Sequence, residues 1–417
     1  MVWLINNKEK VFVTSILLSS QLIAVTGGRI EISDFTALGV LFLWLLSIFK
    51  DKEYKIILSP WHILLFLFLL SVLLSVFNGD LISLSKLPAV FKEIIIFFIM
   101  VNIIRNREIA LFSLKIFFSV ITFSAIIGIL QEILFFFTGI ELIGYVGEEI
   151  RRYMWEITPL GLLMRVPALT SWYTILANFL LIGIVVGVNL ILYSVLTGKK
   201  ERLFLYMAVP LMSIALILTF SHSTMIVLLL AIIGSIFIRW RSLSIHFATI
   251  FLAGILLAYF SGFMTDFVEE PKRYLITEDV RVRIELLRDG LTGFFNRHPF
   301  IGNGMGTGFQ YTSNVDHWAV HNNVVLIADE LGLFGILAYG ALFSVLIYRQ
   351  VISILRLKDR KDKAVSLSLL IALIAYMVSI QAQAQYFDFF LLMYLGLMEA
   401  IIRTLSYQVP LESNVKA

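Results

Sequence analysis

Apolar runs close to twenty residues long recur along almost the whole chain, and no soluble fold accommodates so many of them. A helix needs about 20 apolar residues to cross the ~30 Å hydrocarbon core of a bilayer. Runs of this kind read as spans near 11–27, 34–49, 60–77, 87–104, 110–138, 171–197, 203–220, 224–239, 245–264, 322–348, 365–385 and 386–404. Composition agrees, with 59% hydrophobic and 15% charged residues, where a soluble domain has about half and a quarter. The expectation is an all-α integral membrane protein of about twelve spans. It forms one polytopic domain over residues 1–417. The first run follows Lys8 and Lys10 without a small-residue cleavage site, so it reads as a span, not a removed leader. Cysteine is absent, which excludes disulfides, thiolate metal sites and a cysteine nucleophile.

Loop charge sets the expected orientation. One alternate set of loops holds "KDKEYK", "RNRE", "GKKER", "RWR" and "RLKDRKDK". The other set has few cations in its short loops, Arg29 and Lys86 among them. Basic short loops stay on the cytoplasmic side, so both termini are predicted cytoplasmic. Two long loops, 139–170 and 265–321, are predicted outside. Long loops escape the charge rule, and these carry Arg151, Arg152, Arg165, Lys272, Arg273, Arg281, Arg283, Arg288 and Arg297. The net charge of +4 therefore reads loop by loop, and does not indicate a nucleic-acid partner; the lipid bilayer is the partner that composition implies.

The larger loop has internal order. In "EDVRVRIELLRDGLTGFF" the residues Val280, Ile284, Leu287, Leu291 and Phe294 recur at helical spacing and share one face. That predicts a helical cap with one apolar face. Arg283 falls at the edge of the face, within roughly 60° of it. It is the arginine best placed to turn toward protein or ligand, although a snorkelling side chain would give the same pattern. In "RHPFIGNGMGTGF", Pro299 ends the helix, and Gly302, Gly304, Gly306 and Gly308 follow in alternation. Such a loop can aim backbone N–H groups at an anion. It lacks the Lys-Ser/Thr ending of a nucleotide-binding loop and follows no strand, and a plain tight turn explains it equally.

The stretch "HNNVVLIADELGLFGILAYG" opens a span with a titratable ring and carries acids within it. On one continuous helix His321, Val325, Ala328, Gly332, Gly335 and Tyr339 share a face. The small residues on that face would admit a neighbouring helix. Asp329 and Glu330 lie about 12–14 Å deeper than His321 by helix rise. Acids at depth face protein or water, as proton or ion sites or as structural groups, and the structural reading is favoured. His317 and His321, with Asp316, do not make a zincin pair, because Trp318 stands where glutamate is needed. No metal or cofactor is expected. Glu148-Glu149 and Glu269-Glu270 read as surface charge.

These residues resemble the bacterial O-antigen ligase and O-antigen polymerase superfamily. His321-Asn322, nine residues, Gly332, two residues and Gly335 fit the ligase signature H-[N/S/Q]-x9-G-x2-[G/T/V]. The segment "RIELLRDGLTGFFNRHPFIGNGMGTGF" is similar to the family's R-x-x-x-W…hP-x-x-G-x-G stretch, with Leu287 where tryptophan is common. "RVPALTSWYTILANFL" resembles the arginine-led segment entering the middle spans. One departure is "FSHSTM", where His222 stands in place of a family arginine. The paired R-x10-G pattern of polymerases is met once, by Arg297 and Gly308.

The resemblance implies a metal-independent glycosyltransferase in the bacterial inner membrane, acting at the periplasmic face in lipopolysaccharide biosynthesis. It would move a glycan from undecaprenyl pyrophosphate to the lipid A core, as a ligase, or to a second lipid-linked glycan, as a polymerase. His321 is then the candidate base, and Arg283 and Arg165 the candidate pyrophosphate ligands. Asn322, His222, Gly304 and Gly306 are candidate contacts to donor or acceptor. The residue chemistry suits this. Guanidinium groups bind phosphate through paired N–H bonds, and histidine titrates near neutrality. The competing class is a transporter of lipid-linked oligosaccharides, although the two long loops give the chain no evident halves.

Overall fold

The computed structural model describes residues 8–19, 32–50, 56–57, 60–79, 81–141, 155–158, 161–170, 172–195, 198–239, 278–309, 322–382 and 389–406. These form twelve α-helices and one β-hairpin: α1 (Lys8–Ser19), α2 (Ile32–Lys50), α3 (Pro60–Val76), α4 (Leu81–Ile103), α5 (Arg107–Thr138), β1 (Trp155–Thr158), β2 (Gly161–Met164), α6 (Tyr173–Leu192), α7 (Lys199–Leu218), α8 (His222–Arg239), α9 (Glu278–Asn296), α10 (Asn323–Arg356), α11 (Arg360–Ser379) and α12 (Phe389–Ser406). Eleven helices coincide with predicted spans, and α9 is the predicted cap helix. The predicted span 245–264 lies outside the described residues.

Among the described residues, six helices are long and apolar enough to cross a bilayer: α5, α6, α7, α8, α10, and α11 with its short 3-10 extension to Ala382. By length and composition this is a multi-pass membrane protein. The other predicted spans are shorter, as in the 17 residues of α3, or carry charge, as Lys86, Lys92 and Glu93 do in α4. The 139–170 loop holds a structure that the sequence reading left as loop. Its strands pair antiparallel, Trp155 opposite Met164 and Thr158 opposite Gly161.

The centre of the bundle is aromatic. Phe390 of α12 lies 3.7 Å from Phe179 of α6 and 6.0 Å from Phe117 of α5, ring centre to ring centre. Tyr394 completes this cluster, and its buried hydroxyl donates to the Leu369 carbonyl at 2.7 Å. Lipid tails are as apolar as these side chains, so close packing and satisfied polar groups hold such a bundle together, more than water exclusion. The small surface of α6 follows from that. A Cβ on Gly187 would lie 2.7 Å from Val209 of α7.

Charged groups collect at one end. Arg107 pairs with Asp362 at 2.7 Å, joining the start of α5 to that of α11. Lys10 pairs with Glu108 at 2.6 Å. Buried Glu399 accepts from Trp61 Nε1 at 2.9 Å and faces Arg349 at 3.1 Å. Arg403 donates to the carbonyls of Val101 and Ile104 at 2.8 and 2.7 Å, capping the end of α4. Because the helices alternate in direction, the basic loops gather here. The ends of α3, α5, α7 and α11 and the starts of α4, α6, α8, α10 and α12 lie at the opposite end.

Candidate functional site

That opposite end holds every described residue that the sequence singled out. The segment starting at Arg165 runs from β2 into α6 across the ends of α5 and α7. Glu132 of α5 accepts from the Met164 N–H at 3.0 Å, and Gln131 donates to the Ala168 carbonyl at 2.9 Å. The Val166 N–H reaches the Leu218 carbonyl at the end of α7, at 3.1 Å. The backbone of this segment is therefore fixed by two side chains of one helix and the terminus of another. Half-buried Arg165 donates to the Tyr173 hydroxyl at 2.9 Å, and its guanidinium lies 5.1 Å from that ring's centre. A stacked, hydrogen-bonded guanidinium has a fixed orientation.

The tie to Leu218 brings this segment beside the turn that leads to His222. His222 is exposed and is the first residue of α8. Beneath it a buried chain of polar groups links three helices: Ser221 to Thr224 at 2.8 Å, Thr224 to Ser379 at 3.0 Å, and Ser379 to Asn178 at 2.9 Å. Each oxygen is satisfied by the next, as polar groups within a membrane bundle must be.

The second half of the site is built around a break in α10. Gly332 has φ 66° and ψ −163°, a conformation open almost only to glycine. The break frees backbone groups that a straight helix would pair, and the glycine-rich loop pairs them. The N–H groups of Leu333 and Phe334 donate to the carbonyls of Pro299 and Phe300, at 2.8 and 3.1 Å. The carbonyls of Asp329 and Glu330 accept from the N–H groups of Asn303 and Gly304, at 2.9 and 3.0 Å. A Cβ on Gly332 would lie 2.5 Å from the Phe300 carbonyl carbon and the Gly302 nitrogen.

The two acids complete this joint. Asp329 Oδ1 accepts from Asn303 Nδ2 at 2.7 Å, and Glu330 Oε1 accepts from the Gly308 N–H at 3.1 Å. The structural reading of the acids fits these contacts. The loop is also clamped from the α3–α4 turn, where Asn78 Nδ2 donates to the Gly302 carbonyl at 2.9 Å. Gly304 lies against Gly79 of the same turn: a Cβ on Gly79 would sit 3.0 Å from the Gly304 Cα. Gly304 is buried and Gly306 half-buried. Both have positive φ. The Gly304 N–H is committed to Glu330, so it donates to protein and not to an external anion.

The face drawn along one continuous α10 needs correction. Ala328, Gly332, Gly335 and Tyr339 are buried, as expected, but the helix is broken at Gly332, and a loop, not a neighbouring helix, makes the close approach. The helix also starts later than that face assumed. Asn322 is the N-cap, in extended conformation, and its side chain accepts from the Val325 N–H at 3.1 Å. Asn322 is half-buried, and its amide oxygen is engaged in that cap. His321 itself lies outside the described residues, as do His317, Glu148, Glu149, Glu269 and Glu270.

The packing of α9 runs through a row that the sequence reading did not name. Among its described side chains the buried ones are Leu286, Gly290 and Gly293, and Gly293 backs onto the Asp329 carboxylate. Small residues are what let α9 lie close on α10. Of the apolar stripe, Ile284 at 62% and Leu291 at 38% are exposed, and Leu287 and Phe294 are half-buried. By register Arg283 lies three residues before Leu286, on the flank between the packed row and the stripe. Its side chain is outside the described residues.

Sequence reasoning missed the residues that hold the site. Asn78, Asn303, Gln131, Glu132 and Tyr173 act through partners 8 to 224 positions away. A buried glutamate and glutamine side by side near the end of a span were the one available signal for Gln131 and Glu132.

No curated protein matches the chain. Residues 207–340, from within α7 to the middle of α10, match the family model described as O-antigen ligase, and over this stretch the chain is similar to the O-antigen ligase-like superfamily.

Proposed function

We propose that this protein is a membrane glycosyltransferase that moves a glycan from undecaprenyl pyrophosphate onto an acceptor sugar at the outer face of the membrane, as an O-antigen ligase with the lipid A core as acceptor. The observation that supports the reading is a shared position: the Arg165 segment, the His222 turn, the glycine loop and the start of α10 all lie at one end of the bundle, next to the apolar band where the pyrophosphate of a lipid-linked donor would lie. The match to the O-antigen ligase family over residues 207–340 supports it.

In this proposal His321 accepts the proton of the acceptor hydroxyl. The oxygen forms its bond to the anomeric carbon of the donor sugar as the bond from that carbon to the pyrophosphate oxygen breaks. The electron pair leaves on undecaprenyl pyrophosphate, and the guanidinium groups of Arg165 and Arg283 hold its charge. A general base contributes about 10²–10⁴ in rate. Preorganised cations add electrostatic stabilisation of the departing group. Such a leaving group does not require a metal. His222, Asn322 and Gly306 form the surroundings of donor and acceptor, with Asn322 fixing the helix start next in sequence to His321, and Gly304 holds the loop from beneath.

Polymerisation, with a second lipid-linked glycan as acceptor, is the neighbouring reaction of the same superfamily. A transporter is the reading from a different class, and the broken α10 with its buried acids is the feature that favours it, since transporters use discontinuous helices at their sites. Here both acids already accept hydrogen bonds from the glycine loop, which favours a rigid joint over an ion site. The test is the purified protein in liposomes with lipid-linked donor. A glycan transferred to lipid A core supports ligation, and longer lipid-linked glycans identify a polymerase. Movement of the donor between leaflets without a transfer product contradicts the proposal.

A further inference from the structure

The exposed stripe of α9 has a definable occupant. Ile284 is 62% exposed, Leu291 38% and Phe295 69%. Phe300, just beyond the helix, is 64% exposed. A shallow groove runs along this stripe between Leu287 and Phe295, with Arg288 in its wall.

The depth of the stripe follows from α10. Below the break, the exposed apolar residues of α10 run from Leu333 and Phe334 through Tyr348 to Leu355. At 1.5 Å per residue that is about 33 Å of helix, the full depth of the ~30 Å hydrocarbon core. The boundary of the apolar band nearest the site therefore falls close to Leu333. The Phe300 carbonyl accepts the Phe334 N–H at 3.1 Å, so Phe300 stands level with that boundary. Phe77 and Leu81, each 83% exposed, continue the same belt at the α3–α4 turn, against which Gly304 packs. The stripe is thus continuous with the lipid-facing surface of the bundle.

We infer that α9 is an interfacial helix: its stripe of Ile284, Leu291 and Phe295, extended by Phe300, is seated among the acyl chains just below the phospholipid headgroups of the leaflet on the site's side. Arg288 fits this occupant. An arginine within an apolar stripe can lay its stem on lipid and raise its guanidinium to the phosphates, whereas a protein partner would have to pair the buried charge. The inference does not depend on the proposed reaction. It explains how the glycine loop, whose first glycine is seven residues beyond Phe295, is held at the membrane surface from outside, while α10 holds it from within.

The chain contains no cysteine, so single sites can be labelled directly. Phe295→Cys, Leu291→Cys and Asn296→Cys, each carrying an environment-sensitive fluorophore, are compared in proteoliposomes of phosphatidylethanolamine and phosphatidylglycerol. Labels at 291 and 295 are expected to emit blue-shifted light. A nitroxide near the lipid headgroup should quench them several-fold more than one at the chain end. The label at 296, on the polar edge of the groove, should be quenched by aqueous iodide more than that at 295. A label at 295 that iodide reaches and lipid nitroxide does not would overturn the inference. So would a label at 295 shielded from both, with shielding that depends on protein density, because a second copy of the chain would then cover the stripe.

Discussion

Two glycine-to-alanine changes in α10 should have opposite consequences. At Gly332 the backbone is at φ 66°, ψ −163°, where an L side chain is strained by about 1–3 kcal/mol. The added methyl would also meet the Phe300 carbonyl carbon and the Gly302 nitrogen at 2.5 Å. Backbone atoms cannot rotate away, and overpacking of this kind costs about 1–3 kcal/mol more. Gly332→Ala should therefore destabilise by roughly 2–6 kcal/mol, mostly by expelling the glycine loop from the break. Gly340, eight residues on, has no heavy atom within 4 Å of an added Cβ. Gly340→Ala should gain about 0.5–1 kcal/mol of helix propensity. Thermal unfolding of the purified variants in one detergent compares them. Gly332→Ala should lower the midpoint by several degrees and Gly340→Ala should hold or raise it. Equal midpoints for Gly332→Ala and wild type would refute the interlocked loop, because a helix running straight through would welcome the alanine.

The acids make a related prediction. Asp329→Ala strands the Asn303 amide and Glu330→Ala strands the Gly308 N–H, each at about 1–3 kcal/mol; Glu330→Gln, which keeps an accepting oxygen, should unfold closer to wild type. For the arginines, Arg165→Lys and Arg283→Lys keep charge and lose the planar fork. Both should insert and express normally yet lose most transfer with purified lipid-linked donor, and a variant with wild-type transfer would remove that arginine from the site. For orientation, Ser313→Cys should react with a membrane-impermeant thiol reagent in intact spheroplasts and Lys361→Cys should not. The reverse pattern would invert the topology.

Helix positions were readable because each depends on one local run of side chains, and eleven of the apolar runs overlap helices, with ends that differ by up to eight residues, as 322–348 does from α10. The end of α9 before Pro299 was readable for the same reason, since a proline announces its own effect. The faces were not. Periodicity groups Ile284, Leu287 and Leu291, but does not say whether protein or lipid covers them, and in a membrane an apolar stripe suits either. The break at Gly332 depends on two segments that meet only in the fold. Gly332 within "DELGLFG" reads as a tolerated helical glycine until Gly302 is known to lie beside it. Arg165 was found through family resemblance, and its orientation by Tyr173 and its anchoring by Gln131 and Glu132 needed coordinates.

The proposed reaction turns on His321, the residue before the α10 cap, as base, with Arg165 and Arg283 as the cations that would receive the pyrophosphate. Turnover of His321→Gln against wild type across pH, with matched expression and purified lipid-linked donor and acceptor, decides it. Wild-type turnover should fall as the pH drops through the imidazole range, because an imidazolium cannot accept the acceptor's proton. His321→Gln should lose about 10²–10⁴ in rate and lack that titration. Near-normal turnover of His321→Gln, with the wild-type pH profile, would contradict the claim and leave His321 as a residue that merely precedes the helix cap.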